Sequence, residues 1–329
     1  MNTVKTLTVV PEEAEIRLDR WFKRHFPDVN HGLLEKWLRT GQVRVDGKRA
    51  KSNQRLEGGQ EIRVPPLPAP PAPRLEADPR PVDERMAREL IDCVIYKDDH
   101  VLALNKPPGL PVQGGTGMSD HHIDAMLDVL MFEKNERPRL VHRLDKDTSG
   151  VLLLGRTAAA TAKLAAAFKG RTAHKLYWAL VVGVPKIRQG KIDAPLAKLP
   201  GRAGEKVGVD EDEGKRAITL YRVVDNALKR AAWLEMQPLT GRTHQLRAHC
   251  LLLETPILGD GKYGGKDAII EGSISRKLHL HARALRLPHP AGGMLELTAE
   301  LPTHMANSFA FFGFEERDAG KAFAAFEED

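Results

Sequence analysis

Residues 65–81 constrain this chain more than any other stretch, because they hold eight of its 22 prolines. Proline lacks the amide hydrogen and fixes φ, so such a run forms neither a helix nor a central strand. It reads as a semi-rigid spacer. The chain is thereby divided into a small unit at 12–64, a linker at 65–81 and a large unit at 82–329. A length of 329 residues suits about two domains, and 42% hydrophobic residues permit a sizeable core.

In the small unit, Asn30 can cap a helix running to about Thr40, with Leu34, Trp37 and Leu38 as its apolar stripe and Gly41 as its stop. An earlier helix around Ile16 to His25 carries Leu18, Trp21 and Phe22. Val43 to Val45 alternates as a strand, Asp46-Gly47 turns, and Glu61 to Val64 is a second strand. Arg44, Lys48, Arg49, Lys51 and Arg55 crowd this hairpin region against the single acid Asp46. A charge run is most often a solvated face, but five cations on one small surface also suit phosphates.

In the large unit, Val101 to Leu104, Val151 to Leu154, Lys175 to Gly183, 219–225, 231–237 and His279 to Leu287 read as strands. Thr157 caps an alanine-rich helix that Gly170 closes, and Thr243 starts another through about Leu253. Strands outnumber helices and do not alternate with them, which predicts an α+β fold on a mixed, mostly antiparallel sheet. Glycines and prolines at 183–190 and charges at 202–216 read as loops.

The charge balance, 50 Lys and Arg against 44 Asp and Glu, is mildly basic and favours a polyanionic partner. Cys93 and Cys250 stand far apart, so no disulfide framework or thiolate metal site follows, and a cytoplasmic setting is expected. Met1 to Val10 lacks the apolar run of a secretory signal. The 13 histidines show no metal-ligand spacing. Gly259 to Gly264 spells G-x-G-x-x-G, but no apolar helix follows, and it reads as a turn.

His142-Arg143-Leu144-Asp145-Lys146-Asp147-Thr148-Ser149-Gly150 packs cations, carboxylates and hydroxyls directly against the apolar run from Val151. Charges beside a core are costly unless paired, and function is the usual reason to hold them there. Asp147 to Gly150 could instead be a plain turn. An aspartic-protease loop fits poorly, because no second copy supplies the paired carboxylate.

This stretch resembles the active-site loop of the RluA-type pseudouridine synthases, and three others are similar to the same family. "LNKPPGLPV" carries Lys106 and Pro107; "HKLYWALVVG" carries Tyr177; "LTGRTHQLRAHCLLLETPILGD" carries Arg247. "RLDRWF" with "WLRTGQVRVDGKRAKSNQRLEGGQEIRV" resembles the S4 RNA-binding domain, departing from it at His31-Gly32. The subgroup most resembled is the RluC-type enzymes of bacterial large-subunit (23S) rRNA.

The resemblance implies a catalytic carboxylate at Asp145, an active-site tyrosine at Tyr177, and an arginine, Arg247, that pairs with the carboxylate. It implies isomerisation of uridine to pseudouridine in rRNA, with no cofactor and no metal. RNA contacts are expected from Arg143, Lys106, Arg44, Lys48, Arg49, Lys51 and Arg55. A monomer that binds RNA and no membrane is expected. Residue by residue, plainer readings stand beside these. Tyr177 between Leu176 and Trp178 could be core. Arg247, beside the stripe Leu246, Cys250 and Leu253, could only pack its stem. His142 alone is more often a hydrogen-bonded core histidine. The rival from another class is a non-catalytic rRNA-binding or ribosome-assembly factor.

Overall fold

The computed structural model describes residues 4–29, 31–67, 84–114, 121–199 and 206–326. The chain divides into two compact units, 1–81 and 82–329. Asn30 and most of the proline stretch lie outside the described residues, so the cap and the spacer expected there do too.

The first unit joins two helices to a four-stranded sheet. Helix α1 spans Leu18–His25 and α2 His31–Arg39. Leu18, Trp21, Phe22, Leu34, Trp37 and Leu38 are all buried, as their spacing requires of facing stripes. Strands β1 (Lys5–Thr8), β2 (Arg44–Val45), β3 (Lys48–Arg49) and β4 (Glu61–Val64) run in the order β1-β4-β2-β3. Asp46 and Gly47 both have positive φ, 48° and 72°, as a two-residue hairpin turn needs. β1 precedes the expected start at residue 12. It is mostly exposed and pairs with β4 at the sheet edge, so backbone bonds place it and no apolar pattern announces it.

The second unit is built on an 11-stranded sheet. Helix α3 (Glu84–Asp92) leads into β5 (Val94–Lys97) and β6 (Val101–Lys106). Then come β7 (Arg139–Leu140), β8 (Ser149–Gly155), α4 (Ala158–Lys169) and β9 (His174–Val182). β10 (Gln189–Leu199), β11 (Lys206–Val209), β12 (Lys215–Ala227) and β13 (Ala231–Pro238) are joined by antiparallel pairings, β10 holding both β11 and β12, and β13 following β12. After α5 (Gln245–Leu252), β14 (Leu280–Pro288), β15 (Met294–Thr298) and α6 (Thr303–Phe312) complete the unit. The order is β11-β10-β12-β13-β9-β14-β8-β6-β5, with β15 on β14 and β7 on β8. Among the described residues only the β14–β8 pair is parallel. The fold is therefore α+β on a mixed, mostly antiparallel sheet.

Thr157 caps α4 by accepting the Ala160 amide at 3.1 Å, and Gly170 ends it, both as predicted. The loops expected at 183–190 and 202–216 are corrected: β10 begins at Gln189, β11 covers 206–209, and β12 begins at Lys215. Gly190 and Pro195 disguise β10, whose Ile192, Ala194 and Leu196 still alternate inward. No described helix is long and apolar enough to cross a membrane.

Candidate active site

Strand β8 is buried at every residue and fixes the loop before it. Gly150 has φ 108°, and a Cβ there would meet the Ala282 carbonyl oxygen of β14 at 2.2 Å. Only glycine permits this approach of the parallel pair. The loop then closes a turn, the Thr148 amide donating to the Asp145 carbonyl at 3.1 Å. Asp145 keeps 26% of its side chain exposed, at the wall of a groove of about 1030 Å³.

Lys106 holds this loop from below. Its ammonium, fully buried, donates to the carbonyls of Pro107 at 2.8 Å, Leu110 at 2.9 Å and Lys146 at 2.9 Å. Burial lowers its pKa to about 8, against the charges of Asp147 and Asp145. The expectation that Lys106 contacts RNA is therefore corrected. Its three donors are spent on backbone carbonyls, and no part of it reaches solvent.

Tyr177 lies on β9 opposite Met236 of β13 and Ala282 of β14. It lines the groove and packs against the apolar clusters on both sides. Burial and the nearby charge of Asp145 raise its pKa further above 10, so its hydroxyl stays protonated.

Arg247 projects from α5 and is 7% exposed. Its Nε donates to Asp260 Oδ2 at 2.8 Å and its Nη2 to Oδ1 at 2.6 Å. The expected pairing with Asp145 is thus corrected: the bidentate partner is Asp260. Burial opposes the arginine's charge, but the Asp260 hydrogen bond and the charges of Asp260 and Asp145 outweigh it and raise the pKa. Asp145 is near enough to feel the guanidinium, yet does not share its fork.

Asp260 comes from the turn that spells G-x-G-x-x-G. Gly259 there has φ 80°, and a Cβ would meet the Lys277 carbonyl oxygen at 2.0 Å. The turn serves to aim a buried carboxylate, which also accepts the Tyr263 amide at 3.1 Å. The signal for Asp260 in the sequence is the need of a buried arginine for an acid. Which nearby carboxylate meets that need is hidden by the glycines of the turn.

His244, also unforeseen, stands just before α5 with φ 53°. Its Nε2 lies 3.8 Å from Asp145 Oδ2, and its Nδ1 lies 3.0 Å from the Tyr263 hydroxyl. Burial lowers its pKa, against the pull of Asp145. His142 is half-buried at the groove wall and held by structural contacts: Nε2 accepts the Leu153 amide at 3.0 Å and the ring stacks on Phe168.

The groove is electropositive. Arg143, Lys169, Arg171, Lys175, Lys191 and Arg242 line it, and Asp145 is the one carboxylate among its described lining residues. Cations along a cleft around a single acid favour a polyanion that brings a reacting centre to that acid. Arg143 is exposed. In the first unit Arg44, Lys48, Arg49, Lys51 and Arg55 are all exposed; Arg44 also donates to the carbonyls of Gly41 and Gly47, and Arg55 to that of Glu15.

Residues 100–252 match a family model described as RNA pseudouridylate synthase. The ribosomal large subunit pseudouridine synthase C of Rickettsia typhi is 37% identical over 292 residues, 87% of this chain and 94% of that protein. Its namesake from Vibrio cholerae is 34% identical over 325 residues, 93% and 97%. The solved structure of human RNA pseudouridylate synthase domain containing 4 aligns with a TM-score of 0.59 at 31% identity, covering 70% of this chain and 97% of that one. Fold and comparisons together define an RNA-modifying isomerase. The chain belongs to the RNA pseudouridylate synthase family.

Proposed function

We propose that this chain isomerises particular uridines in large-subunit ribosomal RNA, with Asp145 as the catalytic carboxylate. One observation carries the assignment of Asp145: it is the single acid among the described residues lining a cationic groove. The substrate class follows the names of the relatives, which are ribosomal large subunit enzymes.

The reaction breaks the bond between uracil N1 and the ribose, turns the base, and joins C5 to the same carbon. The C5 proton is lost and N1 gains one, so the product has the mass of the substrate. A base in a stack must leave it before a side chain can reach the sugar. Asp145 acts on the ribose, as nucleophile at the anomeric carbon or as base on its neighbour. Tyr177 offers a ring face to the extruded base, and protonated at neutral pH it is a neutral neighbour to the carboxylate. Arg143, two residues from Asp145, suits a phosphate or the space the base vacates. Arg247 sets the field of the site from its seat on Asp260.

The first unit supplies affinity. Its fold of two helices and a basic hairpin supports an S4-like RNA-binding role, with Lys48, Arg49 and Lys51 reaching phosphates and Arg44 and Arg55 shaping the hairpin. The test is a map of pseudouridines in rRNA from cells with the wild-type chain, with Asp145→Asn, and without the protein. Sites lost in both altered strains are expected. Sites retained with Asp145→Asn overturn its catalytic role, and sites unchanged without the protein overturn the rRNA assignment.

A further inference from the structure

Asp145 has a neighbour, His244, to which the sequence reading gives no role. His244 Nε2 is 3.8 Å from Asp145 Oδ2, close but longer than a hydrogen bond. We propose that His244 is a positioning residue for Asp145, presenting an Nε2–H to the carboxylate from a ring that Tyr263 holds in place. The inference rests on the reading of Asp145 as the group that acts on the ribose.

Hydrogen-bond bookkeeping favours one ring nitrogen as the proton's seat. The Tyr263 hydroxyl accepts the Val207 amide at 3.0 Å and lies 3.0 Å from His244 Nδ1. A hydroxyl has one hydrogen to give. Val207 engages one of the hydroxyl's two lone pairs, and giving the hydrogen to Nδ1 uses the hydroxyl as both acceptor and donor. In that arrangement the remaining proton of the neutral imidazole is on Nε2, 3.8 Å from Asp145 Oδ2. The opposite tautomer leaves the Tyr263 hydrogen without this acceptor and sets an Nε2 lone pair against a carboxylate.

The backbone is committed to this arrangement. His244 has φ 53°, a left-handed conformation that costs a non-glycine residue energy. Such conformations persist where surroundings over-determine them, and they cluster at working sites. Here α5 begins on the next residue, and Tyr263 meets the imidazole edge-on at 5.6 Å. Val207 lies on β11, so the hairpin formed by β10 and β11 anchors the chain of contacts that ends at Asp145.

Charge supports the neutral donor. Asp145, Asp260, Arg247 and Lys262 act on His244, and Lys206 lies over the Tyr263 ring. Burial outweighs the two acids, so the ring stays neutral at neutral pH. A neutral donor orients the carboxylate without cancelling its charge, which a nucleophile or base must keep. Arg247, seated on Asp260, does not compete for that role.

His244→Asn tests this. Asparagine tolerates the left-handed backbone and its short amide stands in for Nδ1, but it does not reach Asp145. The expected result is an unchanged melting temperature and RNA affinity, with a single-turnover rate lower by roughly 10- to 100-fold. The wild-type rate should also fall on acidification below the ordinary imidazole range, as the imidazole charges, and this limb should be missing in His244→Asn. His244→Gln, which restores a donor at the Nε2 position, should recover part of the rate. Tyr263→Phe, which frees the tautomer and leaves the His244 backbone alone, should lose rate and keep RNA affinity; it decides the matter if His244→Asn does not fold. Wild-type rate and pH profile in His244→Asn, or in Tyr263→Phe in that event, overturn the inference. Asp145→Asn is run beside them: an inactive Asp145→Asn with an unaffected His244→Asn fails the inference alone, while an active Asp145→Asn fails the underlying reading.

Discussion

Arg247 and Asp260 form a buried, two-bond ion pair, 2.8 Å and 2.6 Å, in the floor beside Asp145. The guanidinium also lies 4.9 Å from the Tyr263 ring. Arg247 is thus part of the scaffold, and its charge reaches Asp145 through space.

Breaking that pair from the acid side leaves a buried guanidinium uncompensated. Asp260→Asn should therefore cost about 3–5 kcal/mol, read as a fall in denaturation midpoint. Arg247→Met should cost a similar amount, and the double variant less than the sum of the two. Additive costs in that cycle would show that the pair is not coupled.

Lys106→Met removes the ammonium that three carbonyls share. With those acceptors left unsatisfied the loss should be roughly 2–4 kcal/mol. Because Lys146 follows Asp145 directly, turnover should fall as well. Affinity for an rRNA fragment should stay at the wild-type value. A large loss of affinity with stability intact would restore the RNA-contact reading.

Tyr177→Phe keeps the ring and removes the hydroxyl. The Tyr177 hydroxyl makes no hydrogen bond among the described residues, so stability should change by no more than about 0.5 kcal/mol. RNA affinity should persist while the single-turnover rate falls. A normal rate would reduce Tyr177 to a wall of the groove.

Burial holds four histidines neutral in the folded chain. It lowers His142 to about 3 and His249, His279 and His281 to about 4. Once unfolded they protonate near 6.5, so between 6.5 and about 4 the unfolded chain binds more protons. Stability is complete above pH 6.5 and drains as pH falls through that window, by on the order of 3 kcal/mol per histidine. Melting temperature should drop steeply across it. A flat profile between neutral pH and the lower end of the window would mean the rings reach water.

The hairpin of the first unit is tested by salt. Replacing Lys48, Arg49 and Lys51 by alanine should weaken RNA binding and flatten its salt dependence, by about 0.7 in log–log slope for each phosphate no longer neutralised on single strands. Turnover at saturating RNA should survive. An unchanged slope would show that these side chains do not touch RNA.

Much of this protein is written locally. The apolar run after Gly150, the Thr157 cap with its Gly170 stop, and the stripes of α1 and α2 depend on neighbours a few residues away, and all stand where the sequence puts them. The carboxylate, tyrosine and arginine sit in short stretches whose resemblance to one family is equally local, and all three line one groove with Arg143. Three-dimensional pairing is another matter. Whether Arg247 meets Asp145 or Asp260 depends on a turn that Gly259 makes possible against Lys277, 18 residues further on. Whether Lys106 is a ligand for RNA or a brace depends on the carbonyl of Lys146, forty residues away. His244 becomes a neighbour of Asp145 because α5 packs against β12 and β13, and Tyr263 can hold it because β11, hidden among loop-like residues, donates an amide to its hydroxyl. Periodicity and capping report which way a side chain faces. Which partner it then meets is set by the closure of distant segments on one another, and no local pattern encodes that distance.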